Sequence, residues 1–485
     1  MKRHDWLALG LCAFFAVLAS LWISKPGIHA DEASLATAIW NPEHSPLAAW
    51  FFDKRISLMQ LSYLGSLKAW LYTPIFALLS PSAAVLRIPM ILAGALTLWV
   101  IYLLLRDAVS PRAGLLALTL LAADPSYLWT TRCDWGPVAL QHLLTTAGAL
   151  AFYRRRHTLG AFLFGLALWD KAVFIWTLAA LALSVVLLYR KQLIARLRPA
   201  ALILVTAAFL LGAYPLLRYN VTFRGSTASD TVHLAAESIP EKAGLLASTL
   251  NGGRLFGYLV RDRDAGPKST YAWLLLVACA VAWPLWRRHS YHRAAWFFLL
   301  LSTFTWLFMA VTKGGAESVH HLVLLWPWPH CFMAVALAAL PKRAGLIPAA
   351  AVGLLSLAVT ANYYNKLRTH GADVPWSEAI YPLHEEIQRR NPAVLYVTDW
   401  GILQPLTLLS AGRLPIQQSF AQIEPDPDGL YVAHTDPHQE FPDANGKLEV
   451  PGFRRQLLQT ISDPQGEPIY ELFRYLPAQL TEGLP

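Results

Sequence analysis

Two adjacent carboxylates, Asp31 and Glu32, stand a few residues beyond the first long apolar run, Trp6–Ser24, after the turn Lys25-Pro26-Gly27. Carboxylates near a membrane face are costly to desolvate, so a pair held there invites a chemical explanation, with solvated loop charges as the plain alternative. Asp134, which opens a later apolar run, carries equal weight with Glu32. Carboxylates from separate loops offer proton acceptors or ligands for a divalent cation, so Asp31, Glu32 and Asp134 are the residues that would hold a metal if one is used. The candidate cations are Lys171, next to Asp170, with Arg87 and Arg132. A lysine abutting two short spans either lines an inner cavity or snorkels to the surface. His320 and His321 can meet phosphate oxygens or a metal, but adjacent helical positions point two ways, so one of the pair at most faces a site. Arg87 opens a span with Pro89 and reads as an interface anchor.

The elements that must position these residues are mostly apolar. Of 485 residues 55% are hydrophobic and 15% charged, which describes a polytopic membrane protein rather than a soluble enzyme. The net charge of +9 is no nucleic-acid signal, because Lys and Arg concentrate in short loops. Lys2/Arg3, Arg106/Arg112, Arg154–Arg156, Arg190/Lys191/Arg196/Arg198, Arg287/Arg288/Arg293 and Lys342/Arg343 alternate with loops of mixed or acidic charge. That alternation is the positive-inside pattern.

About eleven spans follow from hydropathy and length: Trp6–Ser24, Ala84–Leu105, Gly114–Trp129, Trp135–Tyr153, Leu159–Trp169, Ala172–Tyr189, Ala200–Leu216, Tyr271–Trp286, Ala294–Val311, His321–Leu340 and Leu346–Ala361. Leu159–Tyr189 is long for one helix and short for two, and parity of the basic loops divides it at Asp170-Lys171. This topology puts the amino terminus in the cytoplasm and the tail outside. Ile28 is a poor residue before a cut at Ala30, so the first span reads as uncleaved. Ile56–Leu79 keeps a leucine stripe diluted by Gln60, Ser62, Ser66 and Lys68, the pattern of a helix lying in the interface.

The chain thus divides into a multi-span unit, 1–361, with outer loops 25–83 and 217–270, and a tail, 362–485, rich in Pro, Asp, Glu and Gln. The second half of the 217–270 loop has helical apolar spacing. The tail predicts helices over Glu378–Arg390 and Leu403–Ser410 and strands over Ala393–Trp400, Leu430–His434 and Ile469–Tyr475, a small α/β domain outside the membrane. Asp399-Trp400-Gly401 ends one of these strands, where α/β domains tend to bind ligands. Cys12, Cys133, Cys279 and Cys331 are scattered and form neither a disulfide framework nor a metal knuckle.

The order of several short motifs resembles the GT-C superfamily of membrane glycosyltransferases, in the family 39-like group of protein O-mannosyltransferases and bacterial aminoarabinose transferases. The motifs are His29-Ala30-Asp31-Glu32-Ala33, Ala84-Val85-Leu86-Arg87-Ile88-Pro89, Arg112-Ala113-Gly114, Ala123-Asp124-Pro125-Ser126 with Thr131-Arg132-Cys133-Asp134, Gly165–Lys171, and Glu317-Ser318-Val319-His320-His321 with Trp326-Pro327. The resemblance covers roughly residues 1–360 and leaves the tail unexplained. It implies a sugar carried on polyprenyl phosphate and transferred, with inversion, to a protein, lipid or glycan hydroxyl on the outer face of a bacterial inner membrane. On that reading Asp31 is the general base, with Glu32 and Asp134 assisting it or holding a metal. Lys171, His320, His321 and Arg132 then face the donor phosphate, whose charge grows as the bond breaks. Beyond a divalent cation no cofactor is implied, and the partners are the lipid-linked sugar, its acceptor and membrane lipids, with no nucleic acid.

Two other classes compete. A lipid-linked sugar transporter would also carry intramembrane charge, but matched repeats and Gly/Pro-broken helices in two halves are its signature, and the chain shows neither. A non-catalytic membrane anchor for the tail would leave Asp31, Asp134 and Lys171 replaceable.

Overall fold

The computed structural model describes residues 2–196, 199–231, 233, 238–262, 268–286, 291–418, 425–439 and 450–477. Arg198, Arg287 and Arg288 of the basic loops lie outside the described residues. The chain opens with helices α1 (Arg3–Ser20) and α2 (Leu35–Trp40), a hairpin of β1 (Leu47–Phe51) and β2 (Lys54–Met59), and α3 (Leu67–Leu78). A helical series follows: α4 (Ala83–Ala108), α5 (Pro111–Ala122), α6 (Pro125–Arg132), α7 (Val138–Tyr153), α8 (His157–Asp170), α9 (Phe174–Arg196) and α10 (Pro199–Thr222). Short helices α11 (Ser226–Thr231), α12 (Ile239–Leu250) and α13 (Phe256–Leu259) lead to α14 (Tyr271–Trp286), α15 (His292–Ala310), α16 (Val319–Leu322), α17 (Trp328–Ala339) and α18 (Lys342–Thr369). The remainder is α19 (Ile380–Arg390), β3 (Leu395–Val397), α20 (Leu403–Leu409), β4 (Ile416–Gln418), β5 (Leu430–His434), β6 (Phe453–Ser462) and β7 (Pro468–Pro477).

Each expected span coincides with a helix or a broken helix. Among the described residues, five helices are long and apolar enough to cross a membrane alone, and a sixth crossing results if the bent pair around Trp326-Pro327 counts as one. The expected span Gly114–Trp129 is two helices, because Asp124 ends one and caps the next: its Oδ1 accepts from the Tyr127 N–H at 2.6 Å, with Pro125 in the first turn. Helices α8 and α10 cross in close contact through Gly165 and Gly212. A Cβ at Gly165 would lie 2.2 Å from the Phe209 carbonyl oxygen, and one at Gly212 2.4 Å from that of Phe162. Small residues let helix backbones meet where lipid provides no hydrophobic drive.

The expected interfacial helix over Ile56–Leu79 begins later. Residues 56–59 belong to β2, where Ser57, Leu58 and Met59 are buried, and the helix is α3. Helical spacing in the 217–270 loop becomes α12 and α13. The last long helix, α18, runs on past residue 361 to Thr369. Beyond it lies a five-stranded sheet in the order β4-β3-β5-β7-β6. Strands β4, β3 and β5 are parallel, and β7 runs antiparallel to both β5 and β6. The three expected strands and two helices of the tail all form. The two additional strands, β4 and β6, are mostly exposed and lack the apolar alternation that marks a half-buried strand.

Candidate functional site

The end of α1 leaves carbonyl groups without helical partners, and these must be satisfied in a water-poor setting. Two buried arginines and two tyrosines satisfy them. Arg132 donates through Nη1 to Ala19 (2.9 Å) and Leu21 (2.5 Å), and through Nη2 to Trp22 (2.5 Å) and Lys25. Arg87 donates to the carbonyls of Ile23, Pro26 and Gly27 at 2.8, 2.8 and 2.9 Å. Tyr364 and Tyr381 take the carbonyls of Leu18 and Ser24. The turn that delivers Asp31 is therefore held almost carbonyl by carbonyl.

Four residues singled out in the sequence are held in ways that it did not reveal. Arg132 is sealed among backbone oxygens rather than turned toward a phosphate. Arg87 is no surface anchor: it is fully buried and grips Glu32 with two parallel bonds, Nε–Oε1 at 2.7 Å and Nη2–Oε2 at 2.8 Å. Glu32 thus has both oxygens committed. Asp134 is committed too. Its Oδ1 accepts from the amides of Val138 and Ala139, capping α7, while Oδ2 pairs with Lys68 Nζ at 2.6 Å. Among the described residues no cluster of three or more His, Cys, Asp or Glu side chains could hold a metal, and nothing here reserves Glu32 or Asp134 for one.

Asp31 differs from both. Its side chain is 46% exposed, no Lys or Arg among the described residues lies within ion-pair distance of it, and Oδ2 accepts from Trp135 Nε1 at 3.0 Å. Its backbone N–H donates to His29 Nδ1 at 3.0 Å. That nitrogen therefore carries the lone pair, so the 3.9 Å approach of His29 Nδ1 to the Asp31 carboxylate is no ion pair. Burial also pushes the His29 ring down to about 4, which keeps it neutral.

Lys171 lies between α8 and α9, where its backbone bridges to Leu64. It is 2% exposed, and its ammonium has no hydrogen-bond or ion-pair partner among the described residues. Its Nζ borders Gly136, whose positive φ of 57° turns the chain between Trp135 and α7. Burial brings Lys171 down to about 8, against the pull of Asp170, Asp134 and Asp31. Asp170 itself is fully buried, and neither of its carboxylate oxygens has a hydrogen-bond partner among the described residues.

Aromatic rings close the space between these groups. Trp135 stacks on His320 at 5.0 Å and meets Tyr258 and Trp376 edge-on. His320 stands against His321, whose Nδ1 is engaged with the Gly314 carbonyl at 2.7 Å. His321 is thus tied to the backbone, whereas His320 Nδ1 is buried without a partner. Trp376 and Trp400 come from the tail and flank His29, stacked at 4.3 Å and edge-on at 5.6 Å. Beyond Tyr258, Arg254 lies over its ring, and a cleft of about 400 Å³ is lined by Glu241, Lys242, Arg254 and Glu317. Asp399, at the end of β3, meets His434 at 2.7 Å inside the tail, leaving Trp400 to reach the site.

The architecture is a polytopic helical membrane fold carrying a small C-terminal sheet unit. Among solved structures, the ArnT protein of Cupriavidus metallidurans bound to undecaprenyl phosphate superposes with a TM-score of 0.61 at 13% identity, over 97% of this chain and 98% of that one. The apo form of the same protein gives 0.56 at 14% identity, over 95% and 97%. An archaeal oligosaccharyltransferase from Archaeoglobus fulgidus, in its apo form, gives 0.51 at 12% identity, over 98% and 75%. No protein-family model and no curated protein matches the sequence. At these identities the likeness is one of fold, and it extends into the tail that the sequence motifs left out.

Proposed function

We propose that this protein is a glycosyltransferase that moves a sugar from a polyprenyl-phosphate donor to an acceptor hydroxyl at the outer face of the membrane. The observation that carries the proposal is the division of labour among the acidic groups. Glu32 and Asp134 are neutralised by Arg87 and Lys68, whereas Asp31 keeps a half-exposed carboxylate, and among the described residues neither it nor the buried Lys171 has an ion-pair partner of opposite charge from Lys, Arg, Asp or Glu. The GT-C-like fold, shared with a protein captured on undecaprenyl phosphate, supports the same class of donor.

Asp31 acts as general base on the acceptor hydroxyl and stabilises the positive charge that develops at the anomeric carbon. Attack from the side opposite the phosphate inverts the configuration. Lys171, with His320 beside it, stabilises the phosphate as it takes up charge, and does so strongly because little water competes. Glu32 and Asp134 serve as fixed supports. Tyr258, the partly buried ring of this cluster, offers an aromatic surface against which a sugar ring can pack. The orientation that suits this chemistry puts the amino terminus in the cytoplasm of a bacterial inner membrane and the sheet unit outside.

The test is turnover by purified full-length protein of radiolabelled sugars on short-chain polyprenyl phosphates, with protein, lipid and glycan acceptors supplied together. Release of the polyprenyl phosphate with appearance of a new glycosidic product supports the proposal. Movement of intact lipid-linked sugar across a vesicle without bond cleavage would replace it with a transporter.

A further inference from the structure

We propose that the C-terminal sheet unit is part of the reaction centre, with its Trp376 holding His29 so that His29 positions Asp31. The proposal deepens the assignment of Asp31 as base and rests on it. The sheet unit is tied to the loop after α1 at several points. Gly27 N–H donates to the Trp376 carbonyl at 2.7 Å, Lys25 pairs with Glu378 at 2.5 Å, and Tyr381 bonds to the Ser24 carbonyl. These contacts bring Trp376, which is 1% exposed, flat against the His29 ring, inclined by 21°. The clamped ring presents Nδ1 to the Asp31 N–H two residues along. One hydrogen bond thereby fixes the peptide plane of the base and the direction in which its carboxylate leaves the chain.

His29 is a positioning residue in this scheme. Its neutral ring has one acceptor nitrogen, already used, and it touches no reacting atom. Asparagine can replace the function without the ring, because its side-chain oxygen accepts the N–H two residues on in an Asx turn. Phenylalanine keeps the ring and loses the acceptor.

The experiment compares His29→Phe, His29→Asn, Trp376→Leu and Asp31→Asn in the full chain, with kcat, KM for the donor and thermal stability in detergent read for each. The expected result is a kcat about a hundredfold lower for His29→Phe at nearly unchanged KM, in line with the cost of displacing a reacting group by about 1 Å. His29→Asn should recover part of that loss, and Trp376→Leu should lose kcat in the same way as His29→Phe. Equal kcat for wild type and His29→Phe, or equal losses for Phe and Asn, overturns the positioning role while Asp31→Asn stays inactive. Full activity of Asp31→Asn overturns both the base assignment and the positioning role built on it.

A separate observation concerns the hairpin tip. Trp50, Phe51 and Phe52 are 72%, 61% and 89% exposed, followed by exposed Lys54 and Arg55. Strand β2 packs beside α10, whose exposed residues Tyr214, Val221 and Phe223 belong to a membrane-crossing helix and its end. We infer that the tip seats in the bilayer interface, with its rings at the acyl boundary and its two cations on anionic headgroups. A fluorophore on Phe52→Cys, with the protein in nanodiscs, tests this against an unsubstituted labelling control. Quenching by lipids brominated near the headgroup, with protection from aqueous iodide that is stronger in phosphatidylglycerol than in phosphatidylcholine, supports it. Full access to iodide with no lipid quenching, the behaviour of a tip reserved for a soluble partner, overturns it.

Discussion

At the scale of single residues, the site depends on which charges are spent and which are free. Lys171 gives this a pH signature. In the folded chain its proton leaves near pH 8, whereas in the unfolded chain a lysine holds its proton to about 10.4. Between those values the unfolded state binds more protons, so the cost of burying the cation falls, and fold stability rises, as pH increases. On the proposed mechanism function runs the other way, because the donor phosphate would lose its partner. Turnover should therefore fall on the alkaline side from about pH 8, and Lys171→Arg, which keeps its charge, should shift that limb upward if the larger group is accommodated. Lys171→Met should be inactive throughout. An alkaline limb unchanged in Lys171→Arg, measured as kcat/KM from pH 6 to 10, would remove the lysine from the phosphate step. His29 stays neutral throughout that range and cannot produce the limb.

At the scale of elements, the turn after α1 is held by Arg87 and Arg132, and the helix crossing by Gly165 and Gly212. Removing one partner of a buried, bidentate pair leaves an uncompensated charge, so Arg87→Ala should destabilise the protein by about 3–5 kcal/mol. The paired replacement Arg87→Met with Glu32→Leu should restore much of the melting temperature in detergent. Recovery of stability without recovery of turnover would show that the pair matters through the placement of Asp31. Gly165→Val puts a side chain into the Phe209 carbonyl and should lower folded yield, whereas a valine at the open Gly10 should not. Fluorescence-detected size exclusion distinguishes the two.

Much of this was legible in the sequence, in specific places. Asp31 is legible as a candidate from its place just past a span, and Lys171 from the junction that loop-charge parity demands. The partners of Glu32, Asp134 and Arg132 were not legible, because each lies far along the chain: Arg87, Lys68 and the carbonyls of residues 19–25. Lys68 was visible only as a polar residue diluting a leucine stripe. A lysine on an apolar helical face is a signal for a buried ion pair, and that reading would have found it. Trp376 carries no local mark at all; its meaning comes from a backbone bond to Gly27.

At the scale of the whole molecule, the sheet unit packs on the loop after α1 and is also tied to the 217–270 loop through Arg261 and Asp463. Gly27 sits so close to the unit that a Cβ would lie 2.1 Å from the Ser377 carbonyl oxygen. Gly27→Val should push the unit off the loop while leaving the helices and the sheet folded. The expected outcome is faster proteolysis after α18, around residues 370–379, together with a loss of turnover of about a hundredfold. Loss of docking with full turnover would make the unit an accessory.

The central claim is that Asp31 is the base of a glycosyl transfer. Asparagine at this position keeps the size and can accept the Trp135 N–H, but it cannot take a proton at neutral pH. The decisive measurement is single-turnover sugar transfer from a polyprenyl-phosphate donor by wild type and Asp31→Asn at matched folded concentration. Wild type should transfer the sugar, and Asp31→Asn should lose at least about a hundredfold in rate with donor binding retained. Equal rates in the two proteins would contradict it.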